Sequence, residues 1–288
     1  MSMVLVFGGN GQLGQCLQEV VKDQGSNGLN YKFLSTAEGD ITNDKKLTLL
    51  FQENQPSYII NCAAYTAVDI AEDEGEKAKN INTIGAGNLA KLCGQYGTTL
   101  IHISTDFVFD GSQSFPLKET DATNPLGIYG VTKLAGEQSI AENCDRYFII
   151  RTSWLYSTYG KNFLKTMLRL AQNRNTISVV SDQIGTPTYA MDLAGFILHL
   201  IDNNANQYGV YHFSNQGVAS WYDFASEILK NTKTIAVVPV NSDAYPTRAI
   251  RPAFSVLDKN KIKNTFSYNI PYWRDSVEKC LLKLNASL

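Results

Sequence analysis

The sequence predicts an α/β fold built on a doubly wound parallel sheet, and three observations carry that expectation. Short Val- and Ile-rich runs alternate with longer helical patterns through the first half of the 288-residue chain, as in a parallel sheet covered on both faces. A glycine-rich turn, GGNGQLG at residues 8–14, follows the first apolar run and opens a helical pattern. A buried-strand pattern beginning at residue 100 ends in the hydroxyls of Ser104 and Thr105, where ligands sit in an open α/β sheet.

In chain order, strands are expected at residues 4–7, 31–34, 58–62, 100–104 and 147–151, where apolar runs are short and β-branched. Helices are expected between them at 13–23, 44–53, 74–96 and 127–143. In the third helix Ile81, Ile84, Leu89, Leu92 and Cys93 recur at helical spacing, so that face should pack on the sheet. Right-handed crossovers then give the doubly wound arrangement. The second half is less regular, with helices at 161–172, 191–201, 221–230 and 273–284 and extended pieces at 177–180, 209–213 and 235–238. Its Pro-containing segments IGTPTYA and YPTRAIRP read as ordered loops among apolar and aromatic neighbours. Residues 1–152 are therefore read as a dinucleotide-binding domain, and 153–288 as a smaller substrate-binding domain partly interleaved with it and packed on the sheet's C-terminal edge.

Composition narrows the function classes. The chain carries 25 basic and 27 acidic residues without a run of like charge, which gives no electrostatic reason to expect nucleic acid or an anionic membrane. Five widely spaced cysteines show no C-x-x-C or Cys/His cluster, so neither a disulfide framework nor a metal site is expected. The N-terminus lacks the features of a signal peptide, and no apolar run approaches the roughly 20 residues of a bilayer span. A cytoplasmic protein is the expectation.

The glycine turn reads two ways. Gly9, Gly11 and Gly14 spell G-x-G-x-x-G, whereas Gly8, Gly11 and Gly14 spell G-x-x-G-x-x-G. The first reading calls for an acid about 20 residues on, at the end of the second strand. That end reads FLST, with neither acid nor Arg; Glu38 and Asp40 come later, and GDITN reads as a turn capping the next helix. Small Ser35 and Thr36 leave room for a 2′-phosphate, so weak discrimination between NADH and NADPH is expected.

Tyr129 and Lys133 stand four residues apart in LGIYGVTKLAGE, hence on one helical face. An ammonium beside a phenol lowers its pKa and suits it to exchange a proton with a carbonyl or carbinol oxygen. A chain this rich in Tyr and Lys yields about one such pair by chance, so the pair gains weight only from Ser104 and Thr105 just ahead of it. A hydroxyl there can donate to the same carbonyl oxygen.

With these features in order, the chain resembles the extended short-chain dehydrogenase/reductases, and more closely the dTDP-4-dehydrorhamnose reductase family. The resemblance rests on GGNGQLG, GDIT, NCAAYTAVDIAE, HISTDFVFDG, YGVTKLAGE, RTSWLY, KNF, SDQIGTPTYA, YHFSN and YPTRAIRP, which together span almost the whole chain. It implies a Rossmann-type fold and the G-x-x-G-x-x-G reading. It also implies NADPH- or NADH-dependent reduction of the C4 ketone of dTDP-4-dehydro-L-rhamnose, with that nucleotide sugar as partner. By the same resemblance Tyr129 is the proton donor, Lys133 orients the nicotinamide ribose and lowers the tyrosine pKa, and Thr105 polarises the carbonyl. Ser104 is the lesser choice, because adjacent strand residues face opposite ways. Gly11, Gln12 and Leu13 approach the pyrophosphate in a cofactor-binding turn that also holds Gly8, Asn10 and Gly14, while Asp40 and Ile41 meet the adenine, and Ala64, Tyr65 and Thr66 the cofactor's other side.

Substrate contacts implied by the resemblance fall at Val68, Asp69, Asp106, Phe107 and Trp154. Each has a structural alternative: a core aromatic for Trp154, caps or turns for Asp69 and Asp106, packing for Val68. His102 reads as a satisfied core histidine, Arg151 as a structural ion-pair partner. Two departures stand out. Phe107 occupies the usual tyrosine position after Ser-Thr-Asp, and Gln15 and Met191 match positions where some members carry acids that bind magnesium at a dimer interface. A homodimer is thus expected without a metal bridge. Two alternatives are a nucleotide-sugar dehydratase or epimerase on the same scaffold, and a regulatory subunit like that of methionine adenosyltransferase. The dehydratase loses ground because Phe107 replaces the acid it needs, the epimerase because the rest of the motif set argues against it, and the regulatory subunit because Tyr129 and Lys133 are intact.

Overall fold

The computed structural model describes residues 2–232 and 235–286; Met1, where the reading of the N-terminus starts, lies outside them. Strand β1 (Met3–Phe7) leads through the glycine turn into α1 (Gln12–Gln24), followed by β2 (Asn30–Leu34), α2 (Asp44–Asn54) and β3 (Tyr58–Asn61). Next come α3 (Val68–Ala71), α4 (Gly75–Lys79), a π-helical turn (Asn80–Gly85), α5 (Ala86–Tyr96), β4 (Thr99–Thr105), a 3₁₀ turn (Asp106–Val108), α6 (Ile128–Asn143) and β5 (Tyr147–Thr152). The second half contributes β6 (Leu155–Tyr156), α7 (Phe163–Ala171), β7 (Thr176–Val180), β8 (Ile184–Gly185), β9 (Thr188–Tyr189), α8 (Ala190–Asp202), β10 (Gly209–His212), β11 (Ala219–Ser220), α9 (Trp221–Leu229), β12 (Ala236–Val240), α10 (Asn260–Phe266) and α11 (Trp273–Ala286).

The main sheet runs β10-β5-β4-β3-β1-β2, and every pairing in it is parallel. The chain leaves β1 to one side for β2 and returns on the other side for β3, so the strand order reverses at β1 and opens a crevice beyond its carboxyl end. Because side chains alternate along a strand, β1 feeds two cores: Val4 and Val6 face α1 and α8, while Leu5 and Phe7 face α2 and α5. Each of these side chains, fully buried, contributes about 1.5–3 kcal/mol, ample to fix which residues of β1 point which way.

The expected single helix over 74–96 is instead two helices joined by the π-helical turn. Apolar spacing reports the buried face but not the one-residue widening of a π turn. The second half supplies β10 to the sheet's edge and packs α8 on α1, through Leu193, Ala194 and Ile197 against Leu13, Cys16 and Leu17. It also has its own core, where α7, α9 and α11 enclose the β7–β12 pair through Leu164, Phe224, Ile228, Trp273 and Val277.

Candidate active site

The glycine turn is shaped by close approach. Gly8 has φ +74°, and a Cβ there would lie 2.8 Å from the Ala63 nitrogen; one on Gly14 would lie 2.4 Å from the Gly8 oxygen. Gly11 is the N-cap of α1 and its N–H donates to the Gly8 oxygen at 2.9 Å. No side chain caps α1, so N–H groups of its first turn remain for an anion. This cradle, which side chains would fill, fits the pyrophosphate of a dinucleotide. Leu13 is buried beneath the turn, the Asn10 carbonyl accepts from Gln15, and Gln12 Oε1 accepts from Asn162 Nδ2 at 2.8 Å and from Ser157 at 3.1 Å. The second half thus reaches over the turn.

At the adenosine end, the Ser35 N–H and hydroxyl both donate to the Glu38 carboxylate, at 2.9 and 2.6 Å, and these bonds hold its pKa below the usual carboxylate value. An acid is therefore folded back to the end of β2, where residue order alone placed none. Asp40 accepts from the Thr42 N–H and hydroxyl in a local turn, and Asn43 rather than Asp40 caps α2. The Ile41 side chain is buried against Gly85 and inside the core, so only its backbone is left to face a ligand.

The facing loop, Ala64–Tyr65–Thr66, is held by a residue sequence reading passed over. Asn82, buried in the π turn, accepts from the Tyr65 N–H at 2.9 Å and donates to the Tyr65 carbonyl at 3.1 Å and to Thr132 Oγ1 at 3.2 Å. The only signal available was a polar residue on an otherwise apolar helical face. Tyr65 itself donates its hydroxyl to Glu74 at 2.8 Å.

Ser104 and Thr105 separate as strand alternation requires. The Ser104 hydroxyl donates to Glu137, whose carboxylate pairs with Arg151 at 2.7 Å, all three buried. Thr105 instead donates to Asp106 Oδ1 at 3.1 Å, and its hydroxyl draws down the pKa of the Tyr129 phenol. Phe107 packs edge-on to the Tyr129 ring, centroids 5.5 Å apart. Lys133, one helical turn from Tyr129, is buried; its Nζ donates to the Ile103 carbonyl at 2.6 Å and lies 3.0 Å from His102 Nε2.

The electrostatics depart from the sequence expectation. Burial pushes the Tyr129 phenol up to about 12, the Thr105 hydroxyl pulling the other way and Asp106 adding to the rise. Lys133 does not depress it here, because its Nζ is aimed at His102 and Ile103. Burial in turn pushes Lys133 down to about 8, against the opposing charge of Glu137.

Beyond Tyr129, Asp106, Phe107 and Trp154 line a narrow cleft with Gln183, Trp221, Arg251, Pro252 and Ser255. Trp154 adopts φ +47° and stacks on Trp221 with ring centroids 3.7 Å apart. Asp106 is buried, and desolvation raises its carboxyl to about 6. Val68 and Asp69 open α3, but Asp69 is occupied: it pairs with Arg251 at 2.8 Å and accepts from the Ala249 N–H at 3.2 Å. Arg251 and Trp221 lie far from these partners in the sequence, which is why pattern reading missed them. No helix among the described residues is long and apolar enough to cross a membrane.

Residues 1–286 match the family described as the RmlD substrate binding domain. A dTDP-4-dehydrorhamnose reductase of Aggregatibacter actinomycetemcomitans is 39% identical over 96% of this chain and 98% of its own. Two solved dTDP-4-dehydrorhamnose reductases superpose closely. That of Bacillus anthracis, in complex with NADP, has TM-score 0.93 and 41% identity over 98% of this chain and 100% of its own. That of Clostridium acetobutylicum has TM-score 0.94 and 38% identity over 98% and 99%. With the glycine cradle, the Thr105–Tyr129–Lys133 group and the adjoining cleft in one molecule, and with matches spanning nearly every residue, the chain belongs to the RmlD family of dTDP-4-dehydrorhamnose reductases.

Proposed function

We propose that the chain reduces the C4 ketone of dTDP-4-dehydro-L-rhamnose to dTDP-L-rhamnose, with NADPH or NADH as reductant, in the last step of dTDP-rhamnose synthesis. One observation carries the reading: Thr105 at the end of β4 and Tyr129 at the start of α6 come together beside the cleft holding Asp106 and Trp154. When bound, the reduced nicotinamide supplies the hydride. Tyr129 donates the proton to the carbonyl oxygen, and Thr105 donates a hydrogen bond to the same oxygen as negative charge develops there. A phenol whose pKa burial keeps high stays protonated at neutral pH, ready to give that proton up.

Lys133 holds the nicotinamide ribose, and the glycine turn with residues 64–66 holds the rest of the dinucleotide. Asp106, Phe107, Trp154, Val68 and Asp69 receive the sugar nucleotide, Asp69 through its pairing with Arg251. In this division residues 1–152 bind the cofactor and also bring Val68, Asp69, Asp106 and Phe107 to the substrate cleft, which the second half completes through Trp154, Trp221 and Arg251. The carboxylate of Glu38 at the ribose end disfavours a 2′-phosphate by charge, which tilts the balance toward NADH. Gln15 and Met191 offer no carboxylates, so a homodimer would form without a bridging metal. The five cysteines are unpaired, in keeping with the reducing cytoplasm.

The test is to follow NADH and NADPH oxidation with dTDP-4-dehydro-L-rhamnose beside related keto-sugars, for the parent protein and Tyr129→Phe. The variant is expected to lose about 10²- to 10⁴-fold in kcat with cofactor affinity nearly unchanged. Equal turnover by the variant overturns the assigned role, and a parent protein that retains its cofactor through purification and only interconverts epimers overturns the reductase reading.

A further inference from the structure

His102 lies between two hydrogen-bonding nitrogens. Its Nδ1 is 3.0 Å from Asn61 Nδ2 and its Nε2 is 3.0 Å from Lys133 Nζ, and all three residues are buried. Burial and the neighbouring lysine keep the imidazole pKa well below its usual value, so the ring is neutral, with one donor and one acceptor. The Asn61 amide cannot turn freely: its Oδ1 accepts from the Ala63 N–H at 3.1 Å, so its NH₂ faces His102. His102 Nδ1 must then accept, Nε2 must carry the proton, and Nε2–H points at Lys133 Nζ. Only an uncharged amine accepts that bond, because an ammonium has no lone pair.

A charged Lys133 requires the reverse arrangement. Nε2 accepts from the ammonium, Nδ1 takes the ring proton, and Asn61 must present its oxygen to Nδ1–H, which leaves the Ala63 N–H without it. We propose that Asn61 and His102 are positioning residues that tie the charge of Lys133 to the backbone at Ala63, so that protonating the lysine releases the Ala63 amide. The change is a transfer of one ring proton between nitrogens with one amide rotation; no bond to carbon forms or breaks and no oxidant is involved.

The location gives this coupling its consequence. Ala63 nitrogen is the atom that crowds Gly8, at 2.8 Å from where a Cβ there would stand. Asn61 and Ala63 therefore border the crevice on its β3 side, against Gly8 of the glycine turn, and the lysine's proton is linked to the wall of the cofactor site. Other charged or titratable groups face Lys133 from its neighbours. Glu137 on α6 is committed to Arg151 of β5, and the Cys62 thiol after β3 is pushed up to about 12 by burial and stays neutral. The ring of His102 is thus the only titratable group bonded to Nζ among the described residues. Sequence reading took it as a satisfied core histidine; the ring finds partners in either charge state of its neighbour, but only the uncharged one leaves the Ala63 N–H bonded to Asn61.

This inference rests on the reading of Lys133 as part of the active site, and its test is made without turnover. Ring ¹⁵N shifts of His102 in the cofactor-free protein, followed from about pH 6 to about pH 10, report the tautomer directly. The expected result is the Nε2–H form at the alkaline end and the Nδ1–H form at the acid end, changing over together with the Lys133 ¹³Cε shift. A single tautomer throughout overturns the proposal. Asn61→Asp supplies a carboxylate that accepts from the Ala63 N–H and from Nδ1–H together, so the lysine titration is expected to move up by one pH unit or more and the tautomer change to vanish. An unmoved lysine titration overturns the coupling; should that variant not fold, His102→Gln, whose carbonyl accepts from the ammonium without Asn61, is expected to give the same upward shift. Catalytic failure of the parent protein would leave these shifts intact, which separates this proposal from the reductase reading.

Discussion

The two walls of the site are made in different ways. The wall proposed for the cofactor is backbone: Gly8, Gly11 and Gly14 fold within seven residues, and their lack of side chains creates the space. The cleft wall is side chain: Asp106, Trp154, Trp221 and Arg251 arrive from four separate segments and are fixed by stacking and ion pairs. A wall made of backbone tolerates almost no added atom, whereas a wall made of side chains holds strain in particular groups and can lose one without collapse. Specificity for the sugar nucleotide is expected to be the more readily altered property.

Three measurements sharpen or break that contrast. The largest effect is expected at Asp106. Its carboxyl is raised from the ordinary 3.8 to about 6 in the folded protein, so the folded state binds the extra proton. Stability from this group is present below pH 3.8 and is lost as pH rises through about 6, by up to about 3 kcal/mol. Thermal denaturation of Asp106→Asn should show the variant gaining on the parent between pH 4 and pH 7 while losing substrate affinity; a parallel pH profile for the two proteins would show that the cleft stores no such strain.

Gly14→Ala comes next. Its new Cβ meets the Gly8 oxygen at 2.4 Å and the Gly9 oxygen at 2.5 Å, an overpacking expected to cost about 1–3 kcal/mol. Calorimetry should find the melting temperature down and NADH affinity reduced at least tenfold, with sugar-nucleotide binding spared. Unchanged cofactor affinity would break the picture of a wall without slack. The smallest effect is expected for Arg251→Ala, because its ion pair with Asp69 is partly exposed and such pairs are worth about 0–1 kcal/mol. Stability should hardly move while KM for the sugar nucleotide rises several-fold and kcat holds; a large loss of stability would make Arg251 a structural strut instead.

The same contrast explains what could be read from the residues alone. The parallel sheet, the glycine turn and the Tyr129–Lys133 spacing are local patterns, and the strands of the first half lie where their apolar spacing puts them, whereas the helix expected over 74–96 is broken by the π turn. That Ser104 and Thr105 face opposite ways also follows from strand alternation, and Ser104 is spent on Glu137. What stayed hidden needs contacts across the chain. Asn82 acts only because a π turn aims it at Tyr65, and Glu38 reaches the end of β2 only because its loop folds back on Ser35. The direction of the Tyr129 shift was misread for a related reason. Helical spacing puts an ammonium near a phenol, but the carbonyl of Ile103 and the ring of His102 decide where it points.

The edge strand β10 has one more implication. It comes from the second half, yet it covers the flank of β5, as α8 covers the oily flank of α1. A gene cut after codon 152 would therefore encode a polypeptide with a naked ladder and a bare greasy surface, prone to clump rather than to bind nucleotide. Neither half can be inherited or engineered as a free-standing part.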